Sequence, residues 1–99
     1  MNYPKLPSFR LDGKNALVTG AGRGIGMGAS IALAESGANV TLVSRTDSEL
    51  KDLTNHIISQ GYKATYFALD VNNEKEISDL IDKSDPFDIL INNAGTNKP

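Results

Sequence analysis

Asn15-Ala-Leu-Val-Thr-Gly20-Ala-Gly-Arg-Gly24-Ile-Gly26 decides the fold of this chain. An apolar run too continuous for a half-exposed strand stops at a glycine-dense turn. Helix-forming sequence follows at once. Glycines let backbone approach a pyrophosphate closely, and the first N–H groups and positive dipole end of the next helix favour the anion. The stretch therefore predicts a bound dinucleotide. A tight strand-to-helix connection with no ligand is the alternative for the turn taken alone. The spacing Gly20-x-x-x-Gly24-x-Gly26 differs from G-x-G-x-x-G, and no Lys-Ser/Thr pair follows Gly26 as a P-loop requires.

Working outward, strands and helices alternate. Residues 16–19 form the first strand. Ile25, Ala29, Ala32 and Leu33 recur at helical spacing over residues 24–36, and Gly37 stands where a left-handed residue ends a helix. Residues 39–44 are a β-branched second strand. Thr46-Asp-Ser-Glu49 has the form of a capping box. Leu50, Leu53 and Ile57 then line one helix face, and Gly61 supplies the stop. A third strand covers residues 63–69. Asn73 caps the next helix with Glu76 at the third position, and Ile77, Leu80 and Ile81 form its buried stripe. Asp85-Pro86 breaks that helix, and residues 88–92 are the fourth strand.

This alternation predicts an α/β fold: a Rossmann-type doubly wound parallel sheet of strand order 3-2-1-4 with right-handed crossover helices. Only its first four strands and three helices are expected here. Residues 1–10, with Pro4 and Pro7, are expected to be an extended arm, and residues 11–99 an incomplete dinucleotide-binding domain. The order leaves Ile89-Leu-Ile91 at a sheet edge, where an apolar parallel strand normally has two neighbours. The expectation is the first part of a larger domain, marginal or aggregation-prone alone.

Composition narrows the partners. The chain has 99 residues, 39% hydrophobic, with net charge −2 and ten scattered Lys and Arg, which argues against nucleic acid. No cysteine is present, so disulfides and thiolate metal sites are excluded. The start has no apolar signal region, and no apolar run approaches the ~20 residues that span a bilayer. The expectation is a cytoplasmic chain with no membrane partner.

In open α/β sheets ligands bind beyond the carboxyl ends of the strands. Those ends are Thr19-Gly20, Ser44-Arg45, Asp70-Val71 and Asn92-Asn-Ala-Gly95. An acid gripping the ribose 2′-OH is expected about 20 residues beyond the glycines, a count that lands on Ser44. Serine removes the repulsion an aspartate would exert on an added phosphate. Arg45 offers a planar multi-donor cation suited to it, and Arg23 can approach the same group. This predicts NADP(H) in preference to NAD(H), the alternative being that Arg45 is solvated and Arg23 fills the turn. His56, Tyr62 and Tyr66 read as surface or packing residues. Asp79, Asp82, Asp85 and Asp88 spread over a helix and loop and read as a solvated acidic edge, not a metal site.

Leu11-Asp-Gly-Lys14, Thr19-Gly20-Ala-Gly-Arg-Gly24-Ile-Gly26, Asp70-Val71 and Asn92-Asn-Ala-Gly95 fall in one order. From about Phe9 to Pro99 the chain resembles the short-chain dehydrogenase/reductase family. Nearest in flavour are 3-oxoacyl-carrier-protein reductases and sugar-acid dehydrogenases such as gluconate 5-dehydrogenase. The resemblance implies that Gly20, Gly22, Arg23, Gly24, Ile25 and Gly26 wrap the pyrophosphate. It also implies that Asp70 meets the adenine with Val71 beside it, and that Asn92, Ala94 and Gly95 lie along the adenosine ribose while bracing the sheet. The Arg23 and Arg45 pairing is similar to that of NADP-preferring members. The implied activity is hydride transfer between a carbonyl and a secondary alcohol on a small-molecule substrate. Family members commonly assemble as tetramers, so the resemblance also allows a homo-oligomer of the full-length protein. The family's Tyr-x-x-x-Lys pair is not found in these 99 residues, so no catalytic residue is assigned. A non-catalytic dinucleotide-binding module or sensor stays open beside the oxidoreductase.

Overall fold

The structure is a computed structural model describing residues 10–93. All of the expected arm at residues 1–10 except Arg10, and also Ala94 and Gly95, lie outside the described residues. The elements run β1 (Asn15–Thr19), α1 (Gly24–Glu35), β2 (Asn39–Ser44), α2 (Asp47–Ser59), β3 (Lys63–Ala68), α3 (Glu74–Lys83) and β4 (Ile89–Asn92). All strand pairs are parallel, in the order β3-β2-β1-β4. The fold expected from the alternation is thus the fold observed.

The sheet is covered on both faces, which explains the continuous apolar character of β1 and β2. On one face Ala16, Val18, Val40 and Leu42 pack with Ala34 of α1 and Leu50, Leu53 and Ile57 of α2. On the other, Leu17 and Val43 meet Leu80 of α3, with Leu69, Ile77 and Phe87 partly buried around them. Ile89 and Ile91 of β4 lean on the first face, while Leu90 points the other way and is 64% exposed.

Two helix faces differ from their expected ones. In α1 the buried positions are Gly26, Ser30 and Ala34, whereas Ile25 is 80% exposed and Ala32 also lies outside. Small residues face the sheet because α1 lies close against the turn after β1. Ser30 returns its hydroxyl to the Gly26 carbonyl at 2.7 Å, so its polarity is satisfied inside that contact. In α3 only Leu80 is buried and Ile81 is half-exposed, because a single neighbouring layer covers that helix.

The helix ends show which signals were local. Gly37 and Gly61 adopt φ of 103° and 88°, left-handed conformations that favour glycine. A Cβ at Gly37 would also run into the Asp12 carboxylate. Arg10 donates to that carboxylate at 2.7 Å and to the Glu35 carbonyl at 3.0 Å, tying the entry of β1 to the end of α1. This hydrogen bond holds the Asp12 carboxyl below its usual range. Such a depressed acid favours the folded state above the ordinary carboxylate range and loses that contribution as pH falls from that range through the lowered pKa.

Asn73 caps α3 as expected, its side chain accepting from the Glu76 N–H at 3.2 Å. Asn73→Ala is expected to cost about 1 kcal/mol, with Asn73→Asp near neutral. Urea unfolding of the two variants checks this. Thr46 forms no side-chain cap on α2, contrary to the capping box expected there. Its intended partner Glu49 is engaged elsewhere.

Candidate functional site

Because β1 to β4 are parallel and in register, their carboxyl ends lie on one rim. Thr19 stands opposite Val43 on one side and Asn92 on the other, and Ser44 stands opposite Ala68. The loops carrying Gly20 to Gly26, Ser44-Arg45, Asp70-Val71 and Asn92 all leave from that rim. The reversal of strand order at β1 also falls there, since β2 and β4 flank it on opposite sides. This is where a doubly wound sheet opens a crevice.

The glycine turn is shaped by left-handed backbone at Gly20 (φ 64°) and Gly24 (φ 52°). It is anchored to β2 by Ala21 N–H donating to the Val43 carbonyl at 3.2 Å. A Cβ at Gly26 would be driven into the Gly20 carbonyl oxygen, so the third glycine lets α1 begin directly against the turn. The first turn of α1 has no acidic residue and no side-chain cap. By contrast α2 has Asp47 and Glu49 in its first turn, and α3 has Asn73 with Glu74 and Glu76. Alone among the described helices, α1 presents its first N–H groups with neither provision. Those orphan donors need an acceptor, and the geometry suits an anionic group.

Arg23 stands on the turn as the residue preceding α1. It is not free: its Nε donates to the Glu49 carboxylate oxygens at 3.0 and 3.3 Å. Arg45 is exposed and makes no side-chain hydrogen bond or ion pair among the described residues. Ser44 closes the end of β2, its hydroxyl accepting from the Thr46 N–H at 3.3 Å. Asp70 accepts from the Asn72 N–H at 2.9 Å, and its own N–H is held by the Glu76 carboxylate at 3.0 Å. Val71 is partly buried behind it, against the second core.

Asn92 and Asn93 brace β4 to β1. The Thr19 hydroxyl donates to Asn92 Oδ1 at 2.9 Å and accepts from the Asn93 N–H at 3.1 Å. Asn93 also donates through Nδ2 to the Gly20 carbonyl at 3.3 Å, directly beneath Gly26. Asn93 lies within the expected Asn92-Asn-Ala-Gly95 stretch but is not among the residues singled out for the site. Its signal was the Asn-Asn doublet: consecutive strand-end residues point opposite ways, so one can meet the crevice while the other locks the turn.

Residues set aside in the sequence stay away from the rim. His56 is exposed on α2, Asp79 pairs with Lys75 at 3.0 Å, and Asp88 accepts from the Asn15 N–H at 2.8 Å at the opposite end of the sheet. No helix among the described residues is long and apolar enough to cross a membrane.

A family model of the short chain dehydrogenases matches residues 14–99. Gluconate 5-dehydrogenase of Gluconobacter oxydans is 39% identical over 99 residues, covering 96% of this chain and 38% of that protein. The crystal structure of hydroxysteroid dehydrogenase from Escherichia coli superposes with a TM-score of 0.83 at 38% identity, covering 91% of this chain and 40% of that one. A 3-oxoacyl (acyl-carrier-protein) reductase from Agrobacterium tumefaciens, solved with NADP bound, gives 0.82 at 35% identity, over 92% and 36%. The chain belongs to the short-chain dehydrogenase family. It spans well under half the length of the relatives it matches.

Proposed function

We propose that this chain forms the NADP(H)-binding part of an oxidoreductase that interconverts a carbonyl and a secondary alcohol on a small molecule. The observation that carries the reading is the uncapped, acid-free start of α1, placed by Gly26 against the glycine turn at the point where strand order reverses. A pyrophosphate there would take the orphan N–H groups and the favourable end of the helix dipole. The adenosine ribose would lie toward the ends of β2 and β4. Ser44 and Arg45 at the end of β2 place a hydroxyl and a cation where an acid would exclude a 2′-phosphate. Asp70 and Val71 would border the adenine, and Asn92 the ribose. The relative holding NADP supports the phosphorylated form of the nucleotide. When bound, the nicotinamide supplies the hydride; this chain's residues bind and orient the nucleotide.

Calorimetric titration of the intact protein tests the reading. NADP+ is expected to bind at least about tenfold more tightly than NAD+, a difference of ~1.4 kcal/mol. Preference for NAD+, unchanged by Arg45→Ala, would overturn the NADP assignment. Failure to bind either nucleotide would overturn the site.

A further inference from the structure

Glu49 is in the wrong place for the role its local pattern gives it. The sequence Thr46-x-x-Glu49 should turn the carboxylate back on α2. Instead both carboxylate oxygens engage Arg23, and Oε1 lies 2.8 Å from the point a Cβ on Gly22 would occupy. The carboxylate is therefore laid against the glycine turn itself. Its side chain is 32% exposed, while the arginine it holds is 78% exposed.

A guanidinium offers an anion two bidentate edges, one of them through Nε. Glu49 occupies Nε, and the two terminal nitrogens have no partner among the described residues. A phosphate reaching Arg23 must take the remaining edge, with a second anion already on the same planar cation. The penalty falls on a ribose that carries a 2′-phosphate. A ribose with a free hydroxyl brings no charge and escapes it.

The geometry points to Glu49 as a specificity-determining residue. Its carboxylate competes with the 2′-phosphate for Arg23 and narrows the preference for the phosphorylated nucleotide. The inference rests on the dinucleotide reading above. It assigns the balance between the two nucleotides to a residue on α2, outside the rim loops that face them.

Glu49→Gln tests it, because the amide keeps the size and an oxygen to accept from Arg23 while deleting the charge. In the intact protein the NADP+ dissociation constant is expected to fall about fivefold and that for NAD+ to change less than about twofold. The gain should shrink between about 50 and 500 mM salt, where charge interactions at this exposure are screened. In an Arg23→Ala background the same substitution should move the ratio of affinities less than about twofold, since the shared cation is gone. An unchanged ratio in Glu49→Gln, or an equal gain without Arg23, overturns the competition. A fall in NADP+ affinity overturns it too, and makes Glu49 a support for Arg23 instead of a rival. A wild-type protein that binds neither nucleotide fails the dinucleotide reading instead, so the two failures are separable.

Discussion

Gly26→Ala is expected to destabilise the intact protein by about 3 kcal/mol and to weaken nucleotide binding by about a hundredfold, although it adds one methyl group. The added Cβ would be driven into the Gly20 carbonyl oxygen and would stand 2.8 Å from the Asn93 amide nitrogen. Neither obstacle is the free end of a flexible side chain. Gly20 is held in left-handed backbone, and Asn93 is fixed by its bonds to Thr19 and Gly20. Either α1 moves outward or the turn moves, and each displaces the N–H groups proposed to meet the pyrophosphate.

Gly28→Ala is the control. It lies two residues along the same helix with nothing within 4 Å of its added Cβ. There the same chemical change should stabilise by about 0.5–1 kcal/mol, by reducing backbone freedom in the unfolded chain. Urea unfolding of the pair reads the difference. Equal effects would show that close approach at Gly26 is not what fixes the turn.

The same contact explains what the sequence did and did not disclose. Strand positions were legible because central parallel strands are buried on both faces and become short apolar runs, as at residues 16–19 and 39–44. Helix ends were legible where one residue acts alone: Gly37 and Gly61 through their φ, Asn73 through its own side chain. The buried face of α1 was not. A search for large apolar residues selects Leu33, which does pack partly against the core, and Ile25, which does not; a helix pressed against a backbone turn fully buries its smallest residues, Gly26, Ser30 and Ala34.

Glu49 was misassigned for a related reason. A capping box is a local pattern, and Arg23, 26 residues away in sequence, offers the carboxylate a charged partner that only the assembled rim brings near. The rim itself was readable at Ser44, Arg45, Asp70 and Asn92, since a parallel sheet of that order puts every carboxyl end on one side. Which rim side chains would be tied up by partners across the fold was not readable: Arg23 by Glu49, and Asn92 by Thr19. Asn93 and Glu49 are residues whose importance exists only through contacts across the fold.

Replacing Arg23 and Arg45 together by alanine is expected to cut NADP+ affinity about a hundredfold while changing NAD+ affinity less than about threefold. A charge-assisted hydrogen bond contributes about 1.5–3 kcal/mol, and the exposure of both side chains puts each at or below the lower end. The two together reach about 2.7 kcal/mol, which is that hundredfold. The cost should be unequal. Arg45 has no side-chain partner among the described residues and can turn to a phosphate, whereas Arg23 must share its cation with Glu49. Arg45→Ala alone should therefore lose more than Arg23→Ala alone, by several-fold.

Arg45→Lys should recover only part of the loss, because an ammonium keeps the charge without the planar fork. Ser44→Asp should reverse the preference, restoring at the end of β2 an acid that accepts from ribose hydroxyls and repels the added phosphate. Titrations of the single and double variants with both nucleotides check these outcomes. If all of them weaken NADP+ and NAD+ in equal proportion, the arginines serve the pyrophosphate or the fold, and the 2′-phosphate must be sought elsewhere on the rim.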